Sequence, residues 1–178
     1  ASLGHFFPPK EVIMKHHLML TAVAAVCAVA FASRASAQSA ATPSAGPIVV
    51  HAPGISWADG PPSLPRGAQF ALLEGNPAEA VPLTLRLKFP PNYRVPPHWH
   101  AVLEHVTVLS GTLNVGMGEQ PTYSGGTALS AGSYAVMPLK MVHYAWTGSD
   151  GVVFQLHSVG PWSITYVNPK DDPRQAQP

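Results

Sequence analysis

The chain has 178 residues, 46% apolar and only 11% charged, with 20 prolines, 15 glycines and a formal net charge of +1. That length suits one domain with a hydrophobic core. A near-neutral charge without a basic cluster excludes a nucleic-acid binder driven by phosphate contacts, and low charge with abundant turn formers favours many short strands over long amphipathic helices.

From Met14 the chain reads MKHHLMLTAVAAVCAVAFASRASAQSA: a basic start, a 15-residue apolar run over residues 18–32, then Ala35, Ser36 and Ala37. This is the layout of a secretory signal peptide over residues 14–37 with cleavage after Ala37. The apolar run is short for a membrane span of roughly 20 residues. An uncleaved N-terminal anchor is the alternative, and bulky Val26 speaks against a lipoprotein signal at Cys27. Residues 1–13 fit no export signal and suggest a start assigned too early or an artefact. Without residues 1–37 the chain keeps seven Lys/Arg against eight Asp/Glu, a net charge of −1, and no cysteine. Any metal in the mature chain must then be held by histidine and carboxylate. The expected location is periplasmic or secreted, with no membrane association after cleavage.

Residues 38–64 read as a small, polar lead-in followed by a first strand in PIVVHA. Next come the runs AQFALLEG, VPLTLRLKF, EHVTVLSGTLNVGM, GSYAVMP, VHYAW, VVFQLHSV and WSITYVN, separated by Pro/Gly clusters. In residues 83–89 the leucines alternate with Thr84, Arg86 and Lys88, the period of a half-buried strand. Ser110-Gly111-Thr112 reads as a tight hairpin turn. Strands at this spacing predict an all-β sandwich or barrel over residues 65–167. The tail, residues 168–178, is expected to fray.

The stretch PPHWHAVLEHVTVLSG carries the chemistry. Residues two apart on a strand share a face, so His98 and His100 point together, with Trp99 opposite. If the phase resumes, Glu104, Val106 and Val108 join them and His105 faces away; a bulge near residues 101–103 would break this parity. A solvated His-x-His pair is the bland alternative. Pro96-Pro97 stiffens the approach to His98 and lowers the entropy cost of fixing ligands. Farther on, in GSYAVMPLKMVHYAW, Gly132 opens a strand, Pro138 stops it and His143 begins the next. Two or three imidazoles with one carboxylate suit a divalent iron, manganese, nickel, copper or zinc ion, with positions left open for water or substrate.

The two stretches resemble the motifs of the cupin superfamily. His98, His100, Glu104 and Gly111 match the first motif, with Asn92 in place of its leading glycine. Gly132, Pro138 and His143 match the second, with Lys140 and Thr147 in place of its last glycine and its asparagine. The resemblance covers roughly residues 65–167. It implies a jelly-roll β-barrel with a metal held inside by His98, His100, Glu104 and His143. Members act as dioxygenases, decarboxylases, isomerases or non-enzymatic binding proteins, and many are homodimers.

Gln155 and His157 share one face of VVFQLHSV; they line a pocket with a proton donor or, more blandly, face solvent. Tyr134 reads as a core tyrosine, with reach to the site as the alternative; Trp99, Trp146 and Trp162 read as packing or dimer contacts, Arg86 and Lys88 as a solvated face, and His51 carries no assignment. Two functions follow. One is an exported, dioxygenase-like metal-dependent enzyme acting on a small organic molecule, with Glu104 as ligand or base. The other is a non-catalytic module that binds a metal or small molecule.

Overall fold

A computed structural model describes residues 46–175, which lie in one unit, Ala41–Pro178. The signal-peptide expectation for residues 14–37 and the reading of residues 1–13 lie outside the described residues. Ten strands make up the described fold: β1 Ala58–Asp59, β2 Gln69–Glu74, β3 Pro82–Phe89, β4 Arg94–Trp99, β5 Glu104–Met117, β6 Thr127–Ser130, β7 Tyr134–Met137, β8 His143–Trp146, β9 Val152–Val159 and β10 Thr165–Tyr166. No α-helix occurs among the described residues. All pairings are antiparallel, in the order β1-β2-β3-β9-β5-β8-β4-β10, with β6 and β7 also bonded to β5. The sheet curls around one apolar interior, and the predicted all-β jelly-roll is the fold.

The period-two pattern explains the core. In β3, Leu83, Leu85, Leu87 and Phe89 are buried, while Arg86 and Lys88 are half-buried on the other face. Across the ladder, Leu85 pairs with Leu156 and Leu87 with Phe154, so two apolar rows meet inside the curl. Burying side chains of this size contributes about 1.5–3 kcal/mol each.

β5 connects the two halves of the sheet. Residues 104–107 pair with β7 and residues 105–111 with β9; residues 112–117 then pair with β6 and β8. The hairpin turn expected at Ser110-Gly111-Thr112 is absent, because the strand runs straight through it. A register shift against β9 between Val108 and Ser110 inserts one extra residue. A one-residue shift turns every later side chain to the opposite face, so the buried positions change from 104, 106 and 108 to 113 and 115. Gly111 permits the passage: its φ is +73°, and a Cβ there would lie 2.0 Å from the Gly151 carbonyl oxygen.

The two glycine departures from the cupin motifs have a backbone reason. Asn92 and Lys140 both hold φ of +57°, the left-handed region that glycine occupies freely and asparagine tolerates. The third departure, Thr147, is buried; its hydroxyl donates to the Pro90 carbonyl at 2.6 Å and accepts from the Tyr93 amide at 2.8 Å. It thereby ties the β3–β4 turn to the end of β8.

Two expectations differ at the ends. PIVVHA forms no strand, and Ile48, Val49 and Val50 are exposed: the run has strand composition, but no strand pairs with it. Residues 168–175 form two 3-10 turns, Pro169–Asp171 and Pro173–Gln175, with Arg174 bonded to Asp172 and to the Ile164 carbonyl.

Two substitutions test the backbone account. Gly111→Ala should lose at least about 1–2 kcal/mol of stability from the left-handed conformation alone, read as a lower urea midpoint at unchanged slope. Lys140→Gly should gain up to about 1 kcal/mol, since relief of left-handed strain outweighs the added freedom of the unfolded chain.

Candidate metal centre

Three histidines from two strands and the turn after β4 meet inside the curl. His98 lies directly opposite His143 in the β4–β8 ladder, which is in register at Val95–Ala145 and has slipped by one residue at His98. Pro96 and Pro97 together oppose the single Tyr144. Prolines cannot donate to a ladder and collect at such bulges. The bulge therefore lies at the Pro-Pro pair rather than at residues 101–103, and it lets Val95 and His98 both face inward. His98, His100 and His143 are 3–5% exposed, with ring centroids 4.3–5.3 Å apart. One donor nitrogen from each lies within 4.8 Å of the others.

The tautomers follow from the partners. Nδ1 of His98 faces the Pro96 carbonyl at 2.7 Å, that of His143 the Met141 carbonyl at 3.0 Å, and that of His100 the Ser163 carbonyl at 2.8 Å. A carbonyl only accepts, so each Nδ1 carries the proton and each Nε2 keeps its lone pair. Three buried imidazoles with their Nδ1–H groups anchored to backbone are the donor set of a histidine-ligated metal. They can hold a divalent ion. Burial, and secondarily the neighbouring imidazoles His143 and His100, holds the His98 pKa well below the ordinary histidine value. Burial also lowers that of His143, against its bond to Met141 and the nearby Glu104.

Glu104, the fourth expected ligand, is buried at the start of β5. Its carboxylate is not one of the mutually close donors. Oε1 accepts from the Trp162 indole Nε1–H at 2.7 Å and lies 3.5 Å from His100 Nε2, too long for a good hydrogen bond. Trp162 also stacks on the His100 ring, 5.5 Å between centroids with 16° between planes. It was expected to be a packing residue and is instead part of the site. Its spacing matches neither motif, so only its type, an indole able to reach a buried acceptor, could have signalled it.

The remaining residues fall outside. His105 points to the outer face and bonds Tyr134, which is 59% exposed rather than in the core or near the site. Gln155 and His157 lie on the same outer side, linked to each other, to Arg86 and to Thr84. Trp146 packs with Tyr144 and Tyr123. The interior cavity, about 50 Å³, is lined by the three histidines, Glu104 and Trp162 at one end. Its other walls are apolar, among them Leu64, Phe89, Val115 and Phe154. Among the described residues, no lysine, arginine, serine, threonine, asparagine or glutamine lines it.

The depressed histidines give the metal-free protein a pH dependence. Their folded pKa values lie below the unfolded value of 6.5, so the unfolded state takes up protons first on acidification. Stability from this source is complete above about pH 6.5 and declines as pH falls toward the folded values. The melting temperature should drop between pH 7 and pH 5, and a His98→Phe variant should drop less.

Comparison with known proteins agrees with this architecture. No curated protein matches the chain. The structure is similar to the polyketide cyclase RemF from Streptomyces resistomycificus, at a TM-score of 0.56 and 19% identity over 71% of this chain and 89% of that one. It is similar to a putative acetylacetone dioxygenase from Methylibium petroleiphilum PM1, at 0.56 and 18% over 75% and 90%. It is also similar to the DMSP lyase DddQ from Ruegeria pomeroyi DSS-3, at 0.53 and 16% over 65% and 62%. At these identities the likeness is one of fold. Residues 45–162, well over half of the chain, match the family described as the ChrR Cupin-like domain, and the chain belongs to that cupin family.

Proposed function

We propose that the protein is a metal-dependent enzyme, dioxygenase-like, that acts on a small and largely apolar organic molecule. The supporting observation is the arrangement of three buried histidines whose Nδ1–H groups are committed to backbone carbonyls, at one end of an otherwise apolar cavity. His98, His100 and His143 would hold the ion. A bound iron, manganese, nickel, copper or zinc ion supplies Lewis-acid polarisation of a substrate oxygen and, for the redox-active members, dioxygen chemistry.

The protein's own groups set the rest. The apolar wall binds the carbon skeleton and excludes water, so polar contacts are worth more there than in solution. Glu104 supplies the one carboxylate that lines the cavity among the described residues and can take a proton from bound substrate or return one. Size narrows the substrate: at about 50 Å³ the cavity is well below the ~150 Å³ that accommodates a benzene molecule. Three-ring flavonols are too large without opening. A dicarboxylate would find no cation to meet its second charge. The lining suits a small molecule with neighbouring oxygen donors at one end and an aliphatic remainder; a short β-diketone is the simplest candidate, and it needs far less opening of the cavity than a flavonol. The export reading of residues 14–37 places this activity outside the cytoplasm, and cell fractionation tests it: cytosolic, uncleaved protein would contradict it.

Elemental analysis of His98→Ala and His143→Ala should show metal affinity reduced at least about tenfold, with a lower melting temperature because bound metal stabilises the fold by linkage. His105→Ala, on the outer face, should change neither. Metal-reconstituted protein should consume oxygen and form product with short β-diketones, and not with flavonols. Stoichiometric retention of these compounds without product would favour the binding module instead.

A further inference from the structure

Resting on the metal-enzyme reading above for its substrate, we infer that Leu64 is the specificity-determining gate of the interior cavity, a plug that two tyrosine hydroxyls hold shut and whose bulk limits the substrate admitted. Leu64 lies in the irregular segment between β1 and β2, GPPSLPRGA over residues 60–68. It is 5% exposed and lines the interior cavity together with the three histidines. An outer cleft lies between this same segment and residues 170–173 of the C-terminal turns. Of the residues that line the interior cavity, Leu64 alone also lines that cleft. One side chain therefore separates a space of about 50 Å³ at the histidines from one of about 690 Å³ outside.

The segment is built to close. The Gly60 amide donates to the Ala68 carbonyl at 2.8 Å, so its two ends lie side by side. Pro61, Pro62 and Pro65 fix φ along the span between them. The carbonyls on either side of Leu64 are each held from within. The Tyr166 hydroxyl donates to the Ser63 carbonyl at 2.7 Å, and the Tyr93 hydroxyl donates to that of Pro65. Both tyrosines are buried, and withdrawing Leu64 takes the acceptor from each hydroxyl, a cost that favours the closed state. Tyr166 also stands directly opposite His98 in the β10–β4 ladder, with 5.9 Å between the ring centroids. The clamp on the gate is thus anchored beside a histidine of the site. A segment stiffened by prolines and tied at its ends moves as a unit, carrying Leu64 outward while the sheet stays in place. A short aliphatic substrate needs a small displacement of this plug; an aromatic one needs the plug removed.

Diethyl pyrocarbonate acylates imidazole nitrogens that carry a free lone pair, and peptide mass spectrometry of metal-free protein reads its access to the site. Exposed His157 is the internal reference. Leu64→Ala should speed modification of His98, His100 and His143 at least about tenfold relative to His157. Tyr166→Phe, which deletes one hydroxyl and keeps the ring, should act in the same direction. Leu113→Ala removes the same atoms from the cavity wall without touching the cleft, and should leave the rates within about twofold of wild type. Unchanged rates in either of the first two variants, or equal acceleration in Leu113→Ala, would overturn the inference. After metal reconstitution, Leu64→Ala should raise kcat/KM for a phenyl-substituted β-diketone at least about tenfold relative to that for a short one; an unchanged ratio would contradict the specificity role. Absence of turnover in every variant would instead remove the metal-enzyme reading, and the acylation rates would still decide the gate.

Discussion

Three backbone carbonyls, those of Pro96, Met141 and Ser163, carry the functional account. Each accepts an imidazole Nδ1–H, and a carbonyl cannot do otherwise. Three lone pairs are thereby presented to one buried point. Without these bonds each ring would choose its tautomer freely, and a protonated Nε2 would repel an ion that a bare one attracts. Burial keeps the imidazoles of His98 and His143 neutral by penalising their charged forms. Anchor and burial thus act together: one decides which nitrogen is bare, the other keeps it bare.

The backbone around the site is built from two departures from regular pleating. At Pro96-Pro97 an extra residue in β4 turns His98 inward opposite His143. Near Leu109 an extra residue in β5 carries the strand from one half of the sheet to the other. Without the first, Val95 and His98 could not both face the interior. Without the second, Val106 and Val108 could not share an interior with Leu113 and Val115. Bulges of this kind are structural devices, and both lie beside residues with special backbone demands, a proline pair and a glycine.

Much of this was legible in the sequence. Alternation in residues 83–89 and 152–159 marked strands whose facing rows form the core, and the spacing of His98, His100 and His143 marked residues that the fold brings together. The parity argument also put Glu104 inside and His105 outside, as the structure does. The misses have physical causes. Ser110-Gly111-Thr112 looks like a hairpin because glycine with φ above zero serves turns and strand crossings equally well, and only the nearness of Gly151 distinguishes them. PIVVHA has strand composition but no strand to pair with. Trp162 and Ser163 belong to no local pattern: their partners, Glu104 and His100, lie about sixty residues away, and the pairing exists only once the sheet has curled.

The cavity carries the argument from a site to a class of reaction. Its polar groups lie at one end, and every other wall is hydrocarbon or aromatic. Recognition therefore depends on oxygen donors at the metal end and on the size of an apolar remainder. The central claim is the tautomer assignment, and long-range ¹H–¹⁵N correlation of the imidazoles measures it. In metal-free protein at pH 7.5, the account predicts protonated Nδ1 and bare Nε2 for His98, His100 and His143, with all three Nε2 resonances shifting together at one equivalent of zinc. Protonated Nε2 on any of the three, or zinc shifts confined to His105 and His157, would contradict it.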